Sequence, residues 1–175
     1  MANPTPAVFL DRDGVVNVDH GYIGTTKDFE LVDGAAQTVA LLNRSGYLVF
    51  IVTNQSGIGQ GYFSESDYEA VTAHMNMLLA REGALINDIR HCPYHPDAQI
   101  ERYRAQSHPW RKPAPGMILD ILDNWDVDVT SSFLIGDSPR DLEAAAAADI
   151  DGHLFEGGNL LSFLRTIRPA LVDAI

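Results

Sequence analysis

A single cysteine, Cys92, stands in the chain, so no intrachain disulfide can form and the fold must be held by packing. No run approaches the roughly 18 apolar residues of a membrane-spanning helix. The opening stretch MANPTPAVFLDRDG has no basic segment followed by an apolar one, and a cytoplasmic location is expected. Positive charge is scarce: 12 Lys and Arg stand against 24 Asp and Glu, a net charge of −12. That balance argues against nonspecific binding to nucleic acid or an anionic membrane. It leaves room for a small anionic substrate, because a few local cations can dominate a cleft. There is no internal repeat and no low-complexity linker, which leads us to expect one domain over residues 1–175 and a monomer. With 46% hydrophobic and 21% charged residues, the composition is that of a folded domain rather than a disordered chain.

What is present is alternation. Short apolar runs at 7–10, 48–53, 89–92, 133–136 and 152–155 have strand length, and helical patterns at 34–47, 64–83, 115–125 and 138–149 lie between most of them. Ser64 three residues before Asp67 reads as a capping-box variant, and Pro139 occupies a first-turn position of a helix. This order predicts an α/β fold, a Rossmann-like three-layer sandwich around a mainly parallel sheet of five to six strands. In such sheets ligands bind beyond the carboxyl ends of the strands. The residues that follow the apolar runs are Asp11 and Asp13, then Thr53, Asn54 and Gln55, then Asp137, Ser138 and Asp141, with Arg111 and Lys112 in a long loop.

Asp11 and Asp13 are separated only by Arg12, and two like charges this close need a cation, a proton or water. Hard oxygen donors suit Mg²⁺, with Asp11, Asp137 and the backbone carbonyl of Asp13 as the candidate ligand set. Beside such a cation Asp11 could attack a phosphoryl group, and Asp13 could act as general acid and then as base. Gly14 permits the turn this requires. Thr53 and the amide of Asn54 could bind nonbridging oxygens while Lys112 offsets their charge.

The stretches DRDG, VTNQSGI, RKPAPGM and GDSPRD, in this order and spacing, resemble the four motifs of the haloacid dehalogenase (HAD) superfamily of phosphohydrolases, over about residues 7 to 155. DRDGVVNVDHGYI and TNQSGIGQGYF are similar to the small capless members that act on D-glycero-D-manno-heptose 1,7-bisphosphate, with histidinol phosphate phosphatases as close relatives. The resemblance implies Asp11 as nucleophile, Asp13 as acid/base, Asp137 as a magnesium ligand, and Thr53, Asn54 and Lys112 as phosphate-binding residues. It also implies that Asp141 orients the inner site and that Arg111 contacts a sugar bisphosphate substrate. Asp19, His20 and Gln55 are further candidates for the sugar pocket. About 40 residues separate Asp13 from Thr53 and about 60 separate Thr53 from Lys112. That leaves no room for a cap domain, so loops 17–30, 56–64 and 93–112 are expected to screen the site.

Three departures stand out. Members of this subfamily often carry a zinc loop ahead of the Arg-Lys pair, but here Tyr94, His108 and Trp110 occupy three of the ligand positions. His91, Cys92, His95 and His108 could improvise a set, yet adjacent His91 and Cys92 point to opposite sides of a strand. We expect no structural zinc, and expect Tyr94 and Trp110 to hold the loop by packing. Ser138 follows Asp137 where many heptose bisphosphatases carry lysine, and Val15 replaces a common threonine. A receiver domain also combines aspartates, Mg²⁺, Thr and Lys, but an acid two residues after the nucleophile fits turnover better than a switch. A noncatalytic protein on the same fold would be expected to have lost Asp11, Asp13 or Lys112.

Overall fold

The structure, a computed structural model, describes residues 4–172. Five parallel strands, β1 (Thr5–Leu10), β2 (Leu48–Asn54), β3 (Asp88–Cys92), β4 (Val127–Gly136) and β5 (Asp151–Leu154), form one sheet in the order β3-β2-β1-β4-β5. The helices are α1 (Ala35–Arg44), α2 (Ser56–Gln60), α3 (Glu65–Ala80), α4 (Gly116–Asn124), α5 (Pro139–Ala147), α6 (Leu160–Ile167) and α7 (Pro169–Val172). β1 is the central strand, and Ala7 to Leu10 are fully buried because both of its faces are covered.

The period-two alternation of the strands divides the core. Val8, Leu10, Val49, Ile51, Phe133 and Ile135 point to one face, where α1, α3 and α6 supply Val39, Leu42, Val71, Met75, Leu160 and Leu164. Ala7, Phe9, Phe50, Val52 and Leu134 point to the other, against Met117, Ile118 and Ile121 of α4 and Ala144 and Ala145 of α5. The run of alanines in α5 therefore lets that helix lie close on the sheet. A third cluster, Ile58, Phe63, Tyr68, Ala98 and Tyr103, sits under the loop that follows β3 and fastens it over α2.

The anticipated strands and helices are all present, with differences at their ends and additions between them. β4 begins at Val127, well before the apolar run, because its first residues pair with Thr5 and Pro6 at the half-exposed end of the sheet. α2, α6 and α7 were not anticipated. Among the described residues no helix is long and apolar enough to cross a membrane.

The sheet edge is tied to α4 by charge. Arg90 on β3 donates from Nη1 to Asp88 Oδ1 at 2.7 Å and from Nε to Asp120 Oδ2 at 2.5 Å, while Trp125 Nε1 donates to Asp88 Oδ2 at 3.1 Å. Burial alone would raise the Asp88 carboxyl, but the bonds from Arg90 and Trp125 outweigh it and hold the group below the usual carboxylate range. Its contribution is complete above the carboxyl's unfolded-state value and is lost as pH falls through the lower folded value. Asp88→Ala is expected to cost about 1–3 kcal/mol at pH 7, read by urea denaturation, with a smaller loss where the carboxylate is protonated.

Candidate active site

The order of strands places the reversal of chain direction beside β1, so the carboxyl ends of β2, β1 and β4 open onto one crevice. A cavity of about 320 Å³ lies there, lined by residues that include Asp11, Asp13, Asp19, Tyr22, Asn54, Gln55, Lys112, Asp137, Ser138 and Arg140. A second cavity of about 680 Å³ adjoins it and shares Asp19 and Asp137.

The floor is built around Lys112, whose side chain is 2% exposed. Its Nζ lies 2.9 Å from Asp11 Oδ1 and 2.5 Å from Asp141 Oδ1, and donates to the Val52 carbonyl at 2.8 Å. The lysine reaches this point because its loop is fastened to β2: Asn54 Nδ2 donates to the Lys112 carbonyl and Lys112 N donates to Asn54 Oδ1, both at 3.1 Å. Asp141, in the first turn of α5, accepts from the Ser138 amide through Oδ2 at 3.0 Å and so presents Oδ1 to the lysine. Burial pushes the Asp11 carboxyl up to about 7 against the opposing pull of Lys112. The ammonium is shifted up, since Asp11 and Asp141 together outweigh its desolvation.

Asp13 is held separately. Arg12, 1% exposed, donates from Nη2 to Asp13 Oδ1 at 2.9 Å and to Gln55 Oε1 at 3.2 Å. Asn17 Nδ2 donates to Asp13 Oδ1 at 3.0 Å, and Gln55 Nε2 donates to Asp13 Oδ2 at 2.8 Å and Thr53 Oγ1 at 2.9 Å. The positive charge between the two aspartates is thus Arg12, buried under Asp13 rather than free in solvent. The sequence reading gave Arg12, Asn17 and Arg140 no role. The available signal for Arg12 was its place between two acids.

One carboxylate oxygen from each of Asp11, Asp137 and Asp141 lies within 4.8 Å of the other two, a spacing that fits one cation. Two of Asp141's contacts are already taken by Lys112 and the Ser138 amide, which leaves Asp11 and Asp137 as the donors with free capacity. Asp137 is raised by burial and by Asp141, as expected of a carboxylate whose counter-charge comes from elsewhere. Gly14, at φ 87°, belongs to this cradle: a Cβ there would lie 2.2 Å from Asp137 Oδ2. Hard oxygen donors in this number and spacing fit Mg²⁺.

Other expected residues fall at varied distances from the floor. Thr53 is buried at the end of β2 and Gln55 lines the cavity, and both belong to the Asp13 network. Asp19 lines both cavities and accepts from the Gly21 amide at 2.8 Å. His20 is exposed, faces Glu30 at 3.4 Å, and lines neither cavity. Arg111 is half-buried and lines neither cavity, with Nη1 donating to the Tyr94 carbonyl at 3.0 Å. In the loop after β3, Tyr94 stacks on His108 at 3.8 Å with the rings 6° from parallel, and Trp110 N donates to His108 Nδ1 at 3.2 Å. Cys92 Sγ is 3.9 Å from the same Nδ1, whereas His91 turns to Glu65 at 2.9 Å and His95 Nδ1 accepts from the Asp97 amide.

Comparison with known proteins agrees with this geometry. The HAD-hydrolase-like family model matches residues 109–168. A D-glycero-beta-D-manno-heptose-1,7-bisphosphate 7-phosphatase of Rhodopseudomonas palustris is 48% identical over 163 residues, 93% of this chain and 89% of that protein. The protein of the same name from Salmonella typhi is 43% identical over 99% of this chain and 88% of its own length. Among solved structures, the D,D-heptose 1,7-bisphosphate phosphatase of B. bronchiseptica, complexed with magnesium and phosphate, superposes with a TM-score of 0.79 at 34% identity, covering 92% of this chain and 86% of that one. With the site on the floor of a parallel α/β sheet and relatives this similar along nearly the whole chain, the chain belongs to the heptose-bisphosphate phosphatase family of the haloacid dehalogenase superfamily and is a phosphatase.

Proposed function

We propose that the protein removes the 7-phosphate of D-glycero-D-manno-heptose 1,7-bisphosphate in a Mg²⁺-dependent reaction that passes through a phosphoryl group on Asp11. The observation that carries this reading is the separation of the two aspartates: Asp11 paired with Lys112, Asp13 held at the cavity wall by Arg12, Asn17 and Gln55. The names of the relatives support the substrate. Asp11, Asp137 and the backbone carbonyl of Asp13 would hold the Mg²⁺, which supplies charge neutralisation at the phosphoryl oxygens.

An oxygen of Asp11 forms a bond to phosphorus while the bond from phosphorus to the sugar oxygen breaks. The leaving oxygen takes the proton of Asp13, which the surrounding donors hold in one orientation. Asp13, now a carboxylate, removes a proton from water, whose oxygen attacks phosphorus as the bond to Asp11 breaks, and inorganic phosphate leaves. Lys112 balances negative charge on Asp11 and on the phosphoryl oxygens, with Thr53 and the Asn54 amide as further phosphate-binding groups. Asp141 keeps the ammonium in place. Asp19, His20, Gln55 and Arg111 are assigned to the sugar end of the substrate. The protein acts as a monomer of one domain in the cytoplasm, with no structural zinc.

The test is phosphate release from both anomers of the heptose bisphosphate beside histidinol phosphate, with and without Mg²⁺. Preference for one heptose anomer, lost with EDTA and regained with Mg²⁺, is the expected result. Preference for histidinol phosphate would discard the substrate and keep the chemistry. Asp11→Asn is expected to abolish turnover while its far-ultraviolet circular dichroism spectrum stays that of the wild type, because the amide keeps the shape of the carboxyl and Asp141 still pairs with Lys112. Lys112→Ala is expected to lose about 3–5 kcal/mol as well as activity, since it leaves Asp11 and Asp141 without their cation. Gly14→Ala is expected to weaken Mg²⁺ binding in calorimetry by displacing Asp137.

A further inference from the structure

One cation on the cavity wall has no role in the chemistry described so far. Arg140, in the first turn of α5, is exposed and lines the same cavity as Asp11 and Lys112. Its Nε donates to Ser138 Oγ at 3.1 Å, and among the described residues it makes no ion pair. The adjacent acid does not neutralise it, because Asp141 is committed to Lys112 and to the Ser138 amide.

Arg111 strengthens the case. It lies close enough for the charge of Arg140 to add to burial in holding its guanidinium below the usual range. Its Nη1 bonds to a neutral carbonyl, that of Tyr94, and it too makes no ion pair among the described residues. Neither guanidinium has a carboxylate partner among the described residues, in a chain of net charge −12, and Arg140 is the one that lines the cavity. A planar guanidinium presents a fork of donors suited to phosphate. Arg140 is at the exposed wall and Lys112 at the buried floor, so a substrate with its reacting phosphoryl group on the floor extends its far end toward the wall.

We propose that Arg140 is a specificity-determining residue that holds a second phosphate at the far end of a sugar bisphosphate, and that Ser138 is a positioning residue that orients it through the Oγ contact. The proposal rests on the floor being the phosphoryl-transfer site, as in the proposed function, but not on the sugar being a heptose. Arg140 then contributes to binding of the bisphosphate and adds little to a monophosphate.

The experiment compares kcat/KM for two pairs, heptose 1,7-bisphosphate against heptose 7-phosphate and glucose 1,6-bisphosphate against glucose 6-phosphate, in the wild type, Arg140→Ala, Arg140→Lys and Ser138→Ala. The wild type is expected to prefer the bisphosphate of at least one pair. Arg140→Ala is expected to lower that preference about 10-fold or more, chiefly through KM. Arg140→Lys should retain part of the preference and Ser138→Ala should lose less than Arg140→Ala. A preference that survives Arg140→Ala, or a wild type with none on either pair, overturns the proposal. A wild type inactive on both heptose compounds but showing the Arg140-dependent preference on the glucose pair would sink the heptose assignment and keep the role of Arg140.

Discussion

Everything at the floor of the cavity depends on one buried ammonium. Lys112 Nζ meets Asp11, Asp141 and the Val52 carbonyl, groups from the ends of β1 and β2 and from the first turn of α5. A buried lysine without these partners would give up its proton, and the two carboxylates without the lysine would lose their counter-charge. Together they form a site that carries charge inside an apolar sheet. Their net negative balance is also the physical reason that a divalent cation and a phosphoryl group fit the same place: one supplies the missing positive charge, and the other meets a lysine already fixed in position.

A second network does for Asp13 what Lys112 does for Asp11. Arg12 lies under the carboxylate, Asn17 and Gln55 donate to it from opposite ends of the site, and Gln55 carries the link on to Thr53. The two aspartates are neighbours in sequence but belong to different electrostatic environments. Each carboxylate therefore has its own partners, Lys112 for Asp11 and Arg12, Asn17 and Gln55 for Asp13. The left-handed turn at Gly14, just after Asp13, leaves room for Asp137.

The sequence foretold the layers well because the strands of a covered parallel sheet are nearly continuous apolar runs, and those at Val8 to Leu10 and Phe133 to Ile135 are unbroken. It brought Asp11, Lys112 and Asp137 to one cavity because they stand next to strand ends or in the loop fastened to them. It did less well where partners are distant in the chain. Nothing local shows that Arg12 will bond to Gln55, 43 residues on. SGIGQ reads as a turn, and becomes the short α2 only beneath the cluster of Ile58, Phe63 and Tyr103. α6 was legible in principle, with Asn159 as its cap and apolar residues at helical spacing, but its short length concealed it.

The most direct measurement of the central claim is a crystal structure with Mg²⁺ and beryllofluoride, a mimic of a phosphoryl group on a carboxylate. The account predicts beryllium bonded to an Asp11 oxygen, the cation between Asp11 and Asp137, and Lys112 within hydrogen-bond distance of a fluorine. Beryllofluoride on Asp13 or Asp137, or a cation held without Asp11, would contradict it.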